Sequence, residues 1–285
     1  MRFGMLSLAD ELTTASLVPP AAVPRSKDIQ RHLGRAVHRF LYSMQQFNGT
    51  MQKVVEEHKR DGMGWESMPH LIGGECQADS LLNYLGIVVD DVAVVIALAM
   101  QFQGSRDDSM GGLKHAWLQD HAVQLTPVGS LLAELEQPGS WWHELFKPKA
   151  GMRQLVVHNQ HLVEFQVSTL PDQEPTVEGF LQSPYGATGI KWQDFMAVIR
   201  RALLGLCEWL DRLEQTLRAH LVAGGDGRQL WGFTFPIGYA MGTTLLDPRY
   251  FLLPLCDGSD PLPWSIDVYQ GESSKVLRPK RPSAP

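Results

Sequence analysis

Apolar positions recur at helical spacing in three long stretches of the chain. The first follows a segment, Thr13 to Ser26, that is broken by Pro19, Pro20 and Pro24. Leu33, Val37, Phe40, Leu41, Met44 and Phe47 then fall three or four residues apart. That is the stripe of an amphipathic helix, with His32, Arg35 and Arg39 lying largely off it. The pattern predicts a helix from Ser26, an N-cap with Asp28 in the first turn, to about Lys59. Gly49 either interrupts this helix or is tolerated in it at about 1 kcal/mol relative to alanine. Asp61 to Glu75, with several glycines and Pro69, reads as a loop.

The second stretch, Gln77 to Gln103, is apolar nearly all round: Leu81, Leu82, Leu85, Ile87, Val88, Val89, Val92, Val94 and Val95 leave no broad polar face. Such a helix belongs at the centre of a bundle. Its β-branched content would also suit buried strands, but its length and lack of turn signals favour helix. Asp90 and Asp91 interrupt it, and a carboxylate facing inward needs a partner. The most apolar window, Leu85 to Met100, is shorter than the roughly 20 residues of a membrane span. A buried helix, with no membrane partner, is therefore expected.

Beyond a polar, glycine-rich break at Gly104 to Gly112, short helices are expected near Lys114 to His121 and Gly129 to Gln137. Trp141 to Glu164 reads as mostly helical, with a kink near Pro148 and Gly151. Phe165 to Gly189 is an irregular insertion with room for a small hairpin. Helical period returns from Lys191 to Val222, through Val198, Ile199, Leu203, Leu206, Leu210, Leu213 and Leu217, and stops at Gly224, Gly225 and Gly227. The rest reads as loops and short strands, ending in the basic, mobile tail LRPKRPSAP. The expected organisation is an extended leader (1–26), a helical body (27–222, insertion about 165–189) and a wrapping extension (223–285). The fold class is mainly α.

Composition narrows the chemistry. The 285 residues are 44% hydrophobic and 20% charged, so a folded chain is expected. The net charge of −6 excludes a generally basic coat for nucleic acid but not a local basic groove. The cysteines Cys76, Cys207 and Cys256 are far apart and form no CxxC, which suits a reducing compartment. The N-terminus meets acidic residues before any apolar run, a poor signal peptide, so a cytoplasmic location is expected. There is no P-loop, dinucleotide fingerprint, G-x-S-x-G elbow or H-E-x-x-H helix.

The most informative segment is SWWHELFKPKAGMRQLVVHNQH, Ser140 to His161. It carries an aromatic lead-in, Trp141, Trp142, Leu145 and Phe146. Arg153, the apolar run Leu155 to Val157, and His158 follow. Over residues 27–222 this resembles the HEPN superfamily, helical-bundle proteins with an R-x4–6-H motif, many of them metal-independent ribonucleases. Gln154 departs from the asparagine, aspartate or histidine that often follows the arginine there. The resemblance implies an antiparallel helical bundle acting as a homodimer on RNA, in a toxin or defence system, with an antitoxin or other protein partner and no cofactor or metal.

Arg153 and His158 are then the candidate catalytic residues. A histidine with an unperturbed pKa near ~6.5 can activate a ribose 2′-hydroxyl or protonate a leaving 5′-oxygen. A guanidinium fork matches phosphate oxygens. Asn159 is a candidate for positioning a ribose or phosphate oxygen, and Asp90 or Asp91 for orienting Arg153 across the bundle. On a regular α-helix, however, positions five apart point about 140° away from each other. Two other readings stand beside this one. One is a bundle of the same fold that binds RNA or protein without cutting. The other is a metal-bound hydrolase using His158 and His161, with a third ligand from His38, His115 or His121. Arg200 and Arg201 either touch an RNA backbone or pair with neighbours such as Glu208. Trp192, Trp209, Trp231 and Trp264 are read as packing residues.

Overall fold

The structure is a computed structural model. It describes residues 20–61, 68–102, 108–120, 124–147, 151–158, 162–168, 176–182, 195–223, 229–234, 265–270 and 273–277, with single positions at 5, 8, 9, 12 and 18. Its helices are α1 (Val23–Asp61), α2 (Met68–Ala99), α3 (Met110–Leu118), α4 (Pro127–Glu134), α5 (Trp141–Leu145) and α6 (Phe195–Ala223). A π-helical turn, Gln154–His158, follows α5. Strands β1 (Leu162–Ser168) and β2 (Thr176–Gln182) form an antiparallel hairpin. Strands β3 (Gln229–Thr234), β4 (Ser265–Gln270) and β5 (Ser273–Leu277) form a second antiparallel sheet in that order, touching α6 through β3 and β4. The chain is mainly α, as its periodicity predicts.

Helix α1 starts three residues before the expected Ser26, because Pro24 suits a first helical turn that needs no N–H donor there. Ser26 is therefore buried inside the helix and is not its cap. Gly49 is tolerated within it. Nor is the leader simply extended. Met5, Leu8, Ala9 and Leu12 are helical and buried, at the i, i+3, i+4, i+7 spacing of an apolar stripe. The proline cluster further on obscured that short stripe.

The central helix is longer at its start than its apolar pattern implies. It begins at Met68, with Pro69 in its first turn, and absorbs half of the expected loop. Gly74 lies inside it because a Cβ there would meet Met51 of α1 at 2.0 Å and Phe165 of β1 at 3.7 Å. Close packing thus overrides the low helix propensity of glycine. Helix α2 meets the membrane-span criteria of length and apolarity over Pro69–Ala99, but most of its apolar window is covered by other elements. Its partner α1 runs antiparallel: His32 pairs with Asp91, Arg39 lies over Tyr84, and Glu57 pairs with His70.

Helix α2 ends at Ala99. Gln101 takes a left-handed φ of 54°, its N–H donates to the Leu98 carbonyl, and the Phe102 N–H donates to Ala97. These are the two bonds of a Schellman cap, with glutamine where glycine is usual. Phe102 then packs edge-on against Trp117 of α3, which fixes the direction of the exit.

The shorter helices have local stops and starts. Ser109, Thr126 and Ser140 each accept a backbone N–H at an N-terminus, from Gly112, Gly129 and His143. Trp209 of α6 donates its indole N–H to the Leu131 carbonyl at 2.9 Å and stacks obliquely on Trp141. Its packing role is as expected. Trp192 and Trp264 lie outside the described residues.

The expected helix through Glu164 is overturned. Leu162 begins a strand in which Val163 and Phe165 are buried while Glu164 and Gln166 are exposed. This period-2 pattern decides for strand over a continuation of the helix. Phe165 pairs across the hairpin with Gly179 and meets Phe47 of α1 at 5.5 Å. The expected basic tail lies outside the described residues after Leu277.

The cap at Gln101 gives a direct test. A non-glycine residue in left-handed conformation costs roughly 1–2 kcal/mol. Gln101→Gly is expected to raise stability by about 1 kcal/mol in urea unfolding. An unchanged or lower midpoint would count against this cap.

Candidate functional site

The site is built where the chain between α5 and β1 crosses the middle of α2. The crossing demands close backbone contact. A Cβ on Gly151 would lie 2.6 Å from the backbone nitrogens of Phe146 and Lys147. Only glycine fits there without moving main chain. The Gly151 N–H donates to the Lys147 carbonyl, and Leu155 donates to Gly151. Met152, Leu155 and Val156 are buried and anchor the segment on the core.

Arg153 projects from this anchored segment onto Gly86 of α2. A Cβ at Gly86 would fall 2.2 Å from Arg153 Nε and 2.6 Å from Cζ. The guanidinium therefore rests directly on the helix backbone, in a slot that glycine alone opens. Its Cζ is also 5.8 Å from the Phe146 ring centre. Nε is buried and has no hydrogen-bond partner among the described residues. An unmet donor of this kind is costly in a packed interior, and the buried indole nitrogens of Trp117 and Trp141 share it.

Asp90 stands one turn beyond Gly86 on α2. Its Oδ1 accepts the Met110 N–H at 3.0 Å, so it holds the first turn of α3. Burial pushes its carboxyl above the usual range. The Met110 N–H and the nearby Arg153 charge oppose that shift, and Asp108 adds to it. Asp90 and Arg153 thus feel each other's charge without a hydrogen bond between them. Asp91 does not join them. It is buried against α1, where both its oxygens lie 2.8–2.9 Å from His32 Nδ1. Burial raises its carboxyl too, against the pull of His32. Of the two orienting candidates, only Asp90 lies near the guanidinium.

The π-helical turn changes the geometry expected for the arginine and histidine. In a π-helix the hydrogen bonds join residues five apart, so positions five apart lie about one turn from each other. Positions 153 and 158 consequently share a face of the backbone spiral, in place of the 140° separation of a regular α-helix. Asn159 and His161 lie outside the described residues. Gly86 is the functional neighbour that sequence reading missed. Nothing in a single apolar helix tells a packing glycine from a propensity defect.

Other candidates are engaged elsewhere. Arg201 pairs with Glu144 of α5 at 2.6 Å instead of with a group on its own helix. His38 and His115 are exposed on α1 and α3. Among the described residues no group of three or more His, Cys, Asp or Glu side chains could hold a metal ion. Burial pushes the Cys207 thiol up to about 12, so it stays protonated and unreactive.

The described residues define a mainly helical bundle with a half-buried arginine at a π-helical crossing. No protein-family model, no curated protein and no solved structure matches the chain.

Two outcomes test this geometry. Gly86→Ala should leave thermal stability equal or higher, because alanine gains up to about 1 kcal/mol in a helix and the obstructing guanidinium can swing away. Proton NMR should report a changed Arg153 environment. A large loss of stability would show that the arginine is locked in place. The second outcome concerns pH. Unfolded, Asp90 titrates near ~3.9. Folded, it holds its proton to a higher pH, so wild-type stability falls as pH rises through that window and stays lowered above it. Asp90→Asn keeps an acceptor for Met110 and removes the charge. It should melt above wild type at neutral pH, the gap closing below about pH 4.

Proposed function

We propose that the chain is a HEPN-type, metal-independent endoribonuclease that works as a cytoplasmic homodimer. The observation that carries this reading is the seat of Arg153. Its guanidinium lies in a glycine slot beside Asp90, part exposed and with an unmet donor, at the start of a turn that brings position 158 into register. A merely structural arginine would be expected to spend its donors on internal partners.

In this reading Arg153 binds the scissile phosphate and offsets the charge that grows on it during attack. His158 takes the proton of the ribose 2′-hydroxyl, and the second copy of His158, across the dimer cleft, protonates the leaving 5′-oxygen. Asn159 positions a ribose or phosphate oxygen. Asp90 biases the guanidinium toward one orientation by charge. The phosphodiester bond breaks with the 2′-oxygen as internal nucleophile, so the chain's own residues suffice. A role in a toxin or defence system, held in check by a protein partner, follows from the same resemblance.

His158→Ala should lower cleavage of a mixed RNA pool by roughly 10²–10⁴-fold, with chelator present and melting temperature unchanged. Arg153→Lys should recover little over Arg153→Ala, since an ammonium cannot reproduce the planar fork. Cleavage unchanged in His158→Ala would remove the mechanism. A folded wild-type protein that binds RNA and cuts nothing would favour the non-catalytic module.

A further inference from the structure

The outer face of α1 is basic although the chain is acidic overall. Arg25, Arg31, Arg35 and Arg39 are all exposed on it, together with His32 and His38. The last three arginines follow one another every four residues, about 6 Å along the helix, and the four span about 21 Å. Asp28 is the acidic residue among them, and it is tied to Arg31 at 2.6 Å. Arg35 has no partner among the described residues. The N-terminal half of this face opens into a groove of about 560 Å³, lined among others by Arg25, Arg31, His32, Arg35, Val94 and Asp108.

Three further observations give the groove a direction and a ligand class. First, His32 is held rigidly by the buried Asp91 through Nδ1, which leaves Nε2 as the ring's unengaged polar atom. A buried carboxylate kept for an exposed histidine fixes a contact in advance. Second, aromatic rings accompany the cations: Tyr84 of α2 lies under Arg39 at 5.9 Å, and Tyr42 is 60% exposed on the next turn. Third, the groove reaches α2 at Val94, one turn beyond Asp90 and two beyond Gly86, on which Arg153 rests.

We infer that this face of α1 is a track for the phosphate backbone of a single-stranded RNA, leading it to Arg153. The inference rests on the ribonuclease reading for its choice of RNA. One line of cations on one helix matches one backbone, and the two aromatic rings at its Arg39 end suit unstacked bases, which a duplex does not offer. The local cations raise the concentration of a polyanion at a chain that otherwise repels it.

The test is binding of a short fluorescein-labelled single-stranded RNA to the full chain, by anisotropy across a salt series. Wild type should bind with affinity that falls linearly on a log–log plot. Arg31→Gln with Arg35→Gln should weaken binding at least about tenfold at low salt and flatten the slope by about 0.7 per arginine removed. Both positions are exposed, so melting should not change. Arg212→Gln, which removes an exposed arginine of α6 and none of this face, should bind as wild type. RNA binding that depends on the groove, in a wild-type protein that never cuts, would sink the nuclease reading and leave the track standing. Cleavage and binding both indifferent to the double substitution would overturn the track and leave the nuclease. Polyglutamate displacing the RNA at equal charge would overturn it in favour of an acidic protein partner.

Discussion

From Leu85 onward helix α2 has almost no polar side, and covering that half on all faces is the constraint that organises the other elements. An apolar helix of this length cannot be half solvated, since each large aliphatic side chain left exposed forgoes about 1.5–3 kcal/mol. The antiparallel α1 covers one side with its stripe from Leu33 to Val55, and α3 and the β1–β2 hairpin take others. Even the start of the chain joins the core, through Met5, Leu8 and Leu12. The segment after α5 closes part of what remains and brings Arg153 with it.

That arrangement explains why the candidate site depends on glycines. Where a segment crosses a fully packed helix, side chains on both sides leave little room, and its closest approaches fall where they are absent. Gly151 lets main chain meet main chain, Gly86 opens the slot for a guanidinium, and Gly74 seats Met51 of α1. The π-helical turn belongs to the same crossing. It holds one extra residue within a turn, and positions 153 and 158 come into register as a result. Asp90 couples this region to the rest of the fold, because the same carboxylate that feels Arg153 also holds the first N–H of α3.

Charge is distributed against the average. The chain carries −6 overall, yet its longest helix turns a line of arginines outward. Two adjacent aspartates on α2 serve different neighbours. Residues next to each other on a helix point about 100° apart, so Asp91 meets α1 and His32 while Asp90 meets α3 and the Arg153 side. One member of this acidic pair thus faces the basic helix while the other faces the arginine seat.

Helical period was sufficient to place the long helices and the mainly α class, because burial of a continuous stripe is a local property of sequence. The Ser140–His161 segment also stood out locally, through its aromatic cluster and its arginine and histidine. Tertiary packing decided the rest. Pro69, Gly73 and Gly74 read as loop until the opposing Met51 and Phe165 are known. Leu162 to Glu164 read as helix until the pairing with β2 supplies the missing hydrogen bonds. Asp90 and Asp91 are chemically identical in sequence, and only the identity of the helix each one faces separates a capping carboxylate near Arg153 from the anchor of His32. Gly86 was silent for the same reason: its meaning is the space it leaves, and that space has a use only once another segment crosses it.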